Sequence, residues 1–378
     1  LMQHLVHSGL WPAGFGTFRR YLQYYFRDMS NAGTSINKHH VKRSSLLWQI
    51  PFLAFLIIGT AIIISQQHKT PYLHNSGFIF GTTYSITYQS DVDLQKDIET
   101  EMNKVNTSLS TFEPQSIISK VNQNRDVRVD NMFTEVFTLA EKVSHETNGA
   151  FDITVAPLVN EWGFGFKTGV APNRHVIDSL RLLTGYKKVK LIHSRVVKTD
   201  PRIMLDCSGI AKGYGSDVVA NFLRSKGIDN FMVEIGGEIV TSGISPDRIP
   251  WRIGVTKPVD DSLQQQQELQ TVLNVTDKAM ATSGNYRNFY YKGGKKYAHT
   301  IDPYTGYPVQ HNILSATVIT GRCAEADAYA TAFMVMGLDK AKKVLKRHPE
   351  LMAYFIYADH KGRNQVWFSP SMKGKILQ

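Results

Sequence analysis

Cysteine is nearly absent from this chain, with two in 378 residues, Cys207 and Cys323. They stand far apart and outside any C-x-x-C or Cys/His spacing. That argues against a zinc site, and it leaves at most one long-range bridge in place of a disulfide framework. Both read as small buried residues. Also missing are G-x-G-x-x-G and G-x-x-x-x-G-K-[ST], so neither standard nucleotide fingerprint applies. There is no internal repeat. Acidic residues are scarce at the start: residues 1–70 hold seven Lys/Arg and one acid, whereas the other 308 hold 36 basic and 31 acidic residues. More than half of the formal net charge of +11 therefore lies in an N-terminal tail. The nearly balanced body removes the main support for nucleic-acid binding.

What the N-terminal part does have is one long apolar run. Residues 46–65, LLWQIPFLAFLIIGTAIIIS, carry no charge over twenty positions, the length that crosses a hydrocarbon core of roughly 30 Å. The heavier positive flank, Lys38 to Arg43, precedes it, which keeps a tail of residues 1–45 in the cytoplasm and puts the body outside. A cleaved signal peptide is the rival reading, but the run is longer than a usual apolar core region and no A-x-A site follows. The expectation is an uncleaved transmembrane anchor, a linker at 66–77 and a domain at 78–378. Residues 1–28 fit neither a span nor the later domain, and Met29 is a natural start for a compact tail plus anchor.

The body mixes strand and helix patterns without regular βα alternation, so its fold class is α+β. A β-branched and aromatic strand is expected at 78–88, with further strands at 251–256, 271–281 and 314–320 and a hairpin at 285–291. Helical spacing predicts helices at 92–109, at about 132–147 with Asn148-Gly149 as the cap, and at 324–336. Gln264 to Gln267 reads as a loop insertion. At 203–243 a short apolar strand, Ile203-Met204-Leu205, ends in Asp206. The loop Cys207-Ser208-Gly209, a helix stopped by Gly227, a strand at 231–233 and the turn Gly236-Gly237 follow. This is a way for backbone to approach a phosphorylated ligand, though on spacing alone an ordinary βαβ unit with a glycine loop is the better reading.

Several polar groups invite a role, each beside a plainer one. Asp327 and Thr331 share a helix face and suit a hard cation such as Mg²⁺; equally, Glu325 and Asp327 complement a helix N-terminus while Thr331 packs against the preceding turn. His299 precedes Asp302-Pro303, which could fix its tautomer. A lone histidine near a strand end is more often structural. Lys212 can hold a phosphate as a point charge or simply be solvated. Phe112, Phe151 and Trp162 can stack on a planar ring or belong to the core. Taken singly, each plain reading wins.

Taken together, the segments resemble the flavin transferase family called ApbE, FAD:protein FMN transferase. The matching blocks are FGTTYSI (80–86), STFEPQSIISKVN (110–122), NGAFDITVAPLVNEWGFG (148–165), LDCSGIAKGYGSDVVANFL (205–223), VEIGGEIVTSG (233–243), ATSGNYRNFY (281–290), HTIDPYTGYPV (299–309) and AEADAYATAFMVMG (324–337). They run in family order from about residue 78 to near the C-terminus. The resemblance implies an ApbE-like domain that moves FMN from FAD to a Ser/Thr hydroxyl of a target protein with Mg²⁺ and releases AMP. It places the metal at Gly209, Asp327 and Thr331, and FAD contacts at Phe80, Phe112, Ala150, Phe151, Asp152, Asp206, Lys212 and Ile301. His299 is its candidate for activating the hydroxyl, with Asp327 beside it in the chemistry. The implied partners are flavin-acceptor subunits of membrane electron-transfer complexes, met on the periplasmic side of a bacterial inner membrane. Three positions depart from the pattern. Phe80 stands where some members have Met, Phe112 where many have Tyr, and Ala330 where some have a second metal-binding Asp. An FAD pyrophosphatase and a non-catalytic flavin-binding protein are the alternative activities.

Overall fold

The computed structural model describes residues 53–60, 70–165, 172–258, 268–285, 289–292, 295–310 and 312–377. The chain forms two compact units, Leu1–Lys69 and Thr70–Gln378. Of the first, residues 53–60 are helical. The rest of the expected 46–65 span and the 1–45 tail lie outside the described residues, as does the glutamine run. Among the described residues no helix is long and apolar enough to cross a membrane.

The second unit is built on one eight-stranded sheet. Its first two strands, β1 (Tyr72–Ile79) and β2 (Thr82–Gln89), replace the single strand expected at 78–88. Phe80 and Gly81 have φ of 52° and 74°, and Ile79 pairs with Thr82. Two consecutive positive φ values make the tight turn whose twist matches a hairpin, so the chain doubles back where periodicity alone reads through. β1 begins inside the segment expected to be a linker.

The helices α1 (Gln95–Leu109), α2 (Ile117–Asn122) and α3 (Asn131–Glu146) follow. Asp130 caps α3 by accepting from the Phe133 amide at 2.8 Å. Asn148 and Gly149, both at positive φ, end that run as expected. Then come α4 (Ala156–Glu161), α5 (Arg174–Arg181), the small ribbon β3 (Val189–Ile192) and β4 (Arg195–Lys198), and α6 (Ser208–Ser225). The strand expected at 203–205 is not formed. The Asn122 side chain brackets Leu205 instead, accepting from its amide at 2.7 Å and donating to its carbonyl at 2.9 Å. One side-chain amide thus satisfies the backbone that a neighbouring strand would otherwise satisfy.

β5 (Phe231–Ile235) and β6 (Glu238–Ser242) form a hairpin, and β5 pairs antiparallel with β2 as well, so there is no βαβ unit here. β7 (Arg252–Thr256) pairs with β8 (Leu269–Asn274) as a separate ribbon. The strand expected at 271–281 is divided between β8 and β9 (Ala279–Gly284) by a turn in which Asp277 has φ 54°. β10 (Phe289–Lys292) and β11 (Lys295–Ala298) pair antiparallel, and the hairpin they form begins within the expected 285–291 stretch. β12 (Ile313–Thr320), α7 (Cys323–Met336), α8 (Leu338–Arg347), β13 (Met352–Ala358) and β14 (Asn364–Phe368) complete the chain. The large sheet has the order β1-β2-β5-β6-β9-β12-β13-β14, and its ladders are antiparallel.

α7 is the buried centre. Eleven of its fourteen residues are buried, five of them alanines, and a helix apolar all round belongs inside. It packs on β9 and β12 and against α6. The contact with α6 depends on Gly213, where a Cβ would stand 2.4 Å from the Cys323 carbonyl oxygen. Only a residue without a side chain permits that approach.

Candidate active site

The seam between α6 and α7 is fixed by two reciprocal carboxylates. Asp217 on α6 accepts from the amides of Cys323 and Ala324 at 2.8 and 2.9 Å. It caps α7 from outside, since α7 has no side-chain cap of its own. Asp327 on α7 reaches back and accepts from the Gly213 amide through Oδ2 at 3.1 Å. In a regular helix that amide serves the Gly209 carbonyl, so the carbonyl does not have its donor to itself. Burial raises the carboxyl pKa of both aspartates. For Asp217, to about 6, the capping amides oppose the rise; for Asp327, the Lys212 ammonium and the Gly213 amide do.

Next to this seam lies a cavity of about 730 Å³. It is lined by ten of the twelve residues singled out from the sequence: Ala150, Phe151, Asp152, Asp206, Gly209, Lys212, His299, Ile301, Asp327 and Thr331. Segments far apart in the chain, from Ala150 to Thr331, meet here because α6, α7 and the 148–155 and 299–303 loops converge on the cavity. Phe80 and Phe112 are not among the lining residues. The Phe80 side chain lies over Gly215, where a Cβ would be 2.4 Å from its ring, and Phe112 is 70% exposed in the turn between α1 and α2.

The structure also assigns these groups local duties. Asp152 is buried and accepts from the amide and hydroxyl of Thr154 at 2.8 and 2.6 Å and from the Tyr186 amide at 2.7 Å. Burial raises its pKa against those donors. Asp206 accepts from the Ser208 amide at 2.8 Å and from its hydroxyl, bracing the entry to α6. Asp302, expected to orient His299, accepts from the Tyr304 amide at 2.9 Å and the Thr305 hydroxyl at 3.0 Å and so stiffens its own loop. Trp162 belongs to the core, and its indole donates to the Gly306 carbonyl at 2.7 Å. That bond ties the 302–308 turn to α4. The His299 ring meets Phe164 edge-on, with centroids 6.4 Å apart.

Two further residues of the cavity escaped sequence reasoning. Lys212 lies 2.7 Å from Oε1 of Glu238, whose side chain is 3% exposed. Burial pulls the lysine pKa down, but Glu238 and Asp327 together more than offset that and raise it. β6 is buried over its first four residues, Glu238 included, and a buried acid there needs a cationic partner. Ser283 on β9 shares a hydrogen bond of 3.2 Å with the Thr331 hydroxyl.

The donor set around Asp327 suits a hard cation. A Cβ on Gly209 would lie 3.3 Å from the Thr331 hydroxyl, so those two residues adjoin, and Asp327 lines the same cavity. Such oxygen ligands match Mg²⁺ and not zinc, with water or ligand oxygens completing the shell. Ala330 is buried and adds no oxygen. Among the described residues no group of three or more His, Cys, Asp or Glu is arranged to hold a metal, so any cation here relies on this mixed set.

This fold aligns with solved flavin transferases. The structure of "Flavin Transferase ApbE from Vibrio cholerae" aligns with a TM-score of 0.73 at 36% identity, covering 81% of this chain and 99% of that one. An apo flavinyl transferase ApbE from Pseudomonas stutzeri aligns with a TM-score of 0.71 at 29% identity, over 80% and 95% of the two chains. The model of the ApbE family matches residues 80–355. A relative from Vibrio cholerae named FAD:protein FMN transferase is 39% identical over 318 residues, 81% of this chain and 92% of its own. A relative of the same name from Escherichia coli is 31% identical over 327 residues, 83% and 92% of the two. The chain belongs to the ApbE family.

Proposed function

We propose that this chain is a Mg²⁺-dependent FAD:protein FMN transferase that joins FMN to a Ser or Thr hydroxyl of a target redox protein and releases AMP. The observation that carries the reading is the convergence of Lys212, Asp327, Thr331, Gly209 and His299 on one cavity beside the buried Phe151 ring. In the reaction the acceptor oxygen bonds to the phosphorus nearer riboflavin. The bridging P–O bond breaks, and AMP departs with the bridging oxygen. His299 would take the hydroxyl proton, a task for which imidazole is well suited. The cavity is lined by five carboxyl groups, Asp152, Asp206, Glu234, Glu238 and Asp327, against one ammonium, Lys212. A pyrophosphate entering such a site needs added positive charge. Gly209, Asp327 and Thr331 would hold the Mg²⁺ that supplies it and that stabilises charge on the phosphoryl oxygens. Phe151 would wall the flavin half. Residues 46–65 would anchor the chain in a bacterial inner membrane with this domain in the periplasm, where flavin-acceptor subunits of electron-transfer complexes would be its partners.

The test mixes the full-length protein with FAD, Mg²⁺ and a candidate acceptor subunit. Flavin fluorescence on the acceptor band after denaturing electrophoresis is the expected result. AMP release without a labelled acceptor would make the protein a pyrophosphatase, and neither product would leave only flavin binding. In the same assay His299→Ala lowers transfer by about a hundredfold or more while FAD binding holds. Equal losses in both would assign the ring to positioning.

A further inference from the structure

The ion pair between Lys212 and Glu238 is placed unequally. The lysine side chain is 31% exposed, whereas the glutamate side chain behind it is 3% exposed. Both residues line the cavity. Lys212 stands on the second turn of α6, and Glu238 opens β6 directly after the Gly236-Gly237 turn. The Glu238 main chain is fixed independently of its carboxylate, because the Ser216 hydroxyl donates to its carbonyl at 3.0 Å. The carboxylate is therefore delivered to the ammonium by the backbone of a short hairpin that is itself pinned to α6. A lysine has four rotatable bonds and a point charge. Left alone on a helix face it samples many rotamers, and one rigid acceptor behind it selects those that keep Nζ at the cavity wall. The ammonium has three protons, and a single carboxylate oxygen at 2.7 Å uses one of them. Donors remain for a ligand.

We propose that Glu238 is a positioning residue: it holds the Lys212 ammonium against the cavity wall with donors turned toward the pyrophosphate of a bound flavin dinucleotide, and thereby selects FAD over flavins that lack phosphate. This rests on the FAD reading above. Glu238 touches no reacting atom in this scheme and acts through Lys212. A purely structural carboxylate would lower stability without regard to the ligand. A positioning carboxylate affects only ligands that use the lysine.

Titrating the full-length protein with FAD and, separately, with riboflavin, followed by flavin fluorescence, separates these cases. Glu238→Gln keeps the side-chain shape and the Ser216 contact. It is expected to weaken FAD about tenfold, the scale of one lost charge-assisted contact, with riboflavin unchanged. Lys212→Met is expected to weaken FAD at least as much. In the double variant the two losses should not add, because the glutamate has nothing left to position. Unchanged or tighter FAD binding in Glu238→Gln overturns the proposal. So do equal losses for FAD and riboflavin, and so do additive losses in the double variant. A wild-type protein that binds riboflavin but gains nothing from the phosphates of FAD also overturns it. Wild-type protein that binds no flavin at all refutes the underlying reading instead, and the proposal falls with it.

Discussion

Asp217 and Asp327 are nearly the same feature at first sight. Both are buried aspartates on the α6–α7 seam, each reaches from one helix to backbone amides of the other, and burial raises both pKa values. Their surroundings separate them. Asp217 gives one oxygen to each of two amides at the start of α7, the geometry of a cap. Asp327 receives a backbone amide on Oδ2 and faces a cavity that also holds Gly209, Thr331 and Lys212. Burial and a displaced pKa mark candidates for function. The deciding property is whether a carboxylate keeps capacity for a ligand where a ligand can enter.

That contrast breaks most sharply at Asp327. Asp327→Ala is expected to lower flavin transfer on the order of a thousandfold while the far-ultraviolet circular dichroism spectrum keeps its native form; full Mg²⁺-dependent turnover would remove Asp327 from the metal site. Gly213→Ala tests the seam that both aspartates share. Alanine gains about 1 kcal/mol of helix propensity over glycine, but its Cβ would meet backbone at 2.4 Å. Overpacking of about 1–3 kcal/mol therefore wins, and both melting temperature and transfer should fall. Asp217→Asn sharpens the difference. It leaves one α7 amide facing another donor, for a loss of about 1–3 kcal/mol in chemical denaturation, while FAD affinity of the folded protein stays within twofold, that is about 0.4 kcal/mol. The smallest effect is on pH. A carboxyl whose folded pKa is raised to about 6 contributes stability below its unfolded pKa and loses it as pH rises through 6. The melting-temperature gap between wild type and Asp217→Asn should therefore be widest near pH 4 and narrow toward pH 7; a gap that widens reverses the sign assigned to Asp217.

Much of the fold could be read locally. Helical spacing and Asn148-Gly149 placed α1, α3 and α7 within a few residues, because amphipathic periodicity and caps are local. The failures share a cause. The Phe80-Gly81 turn hides in a β-branched run, since nothing in Phe80 itself announces a positive φ. Leu205 is extended and buried, but its partner is the side chain of Asn122, 83 residues away. No window around Leu205 contains it. In the site, ten of twelve candidates line the cavity, whereas no motif around Glu238 pairs it with Lys212.

By itself the sequence determined the composition of the parts: an α+β body, a charge-free apolar run behind a basic tail, helix and strand positions, and eight ordered blocks that mark the ApbE family. These follow from periodicity, capping and residue identity, all properties of neighbours along the chain. Only the tertiary structure decided how the charges pair. It set Glu238 behind Lys212, turned Asp217 into a cap and left Asp327 facing the cavity. Those outcomes depend on the closeness of α6 and α7 at Gly213 and on the hairpin that carries Glu238, and contacts across a hundred residues are fixed by packing, not by local preference.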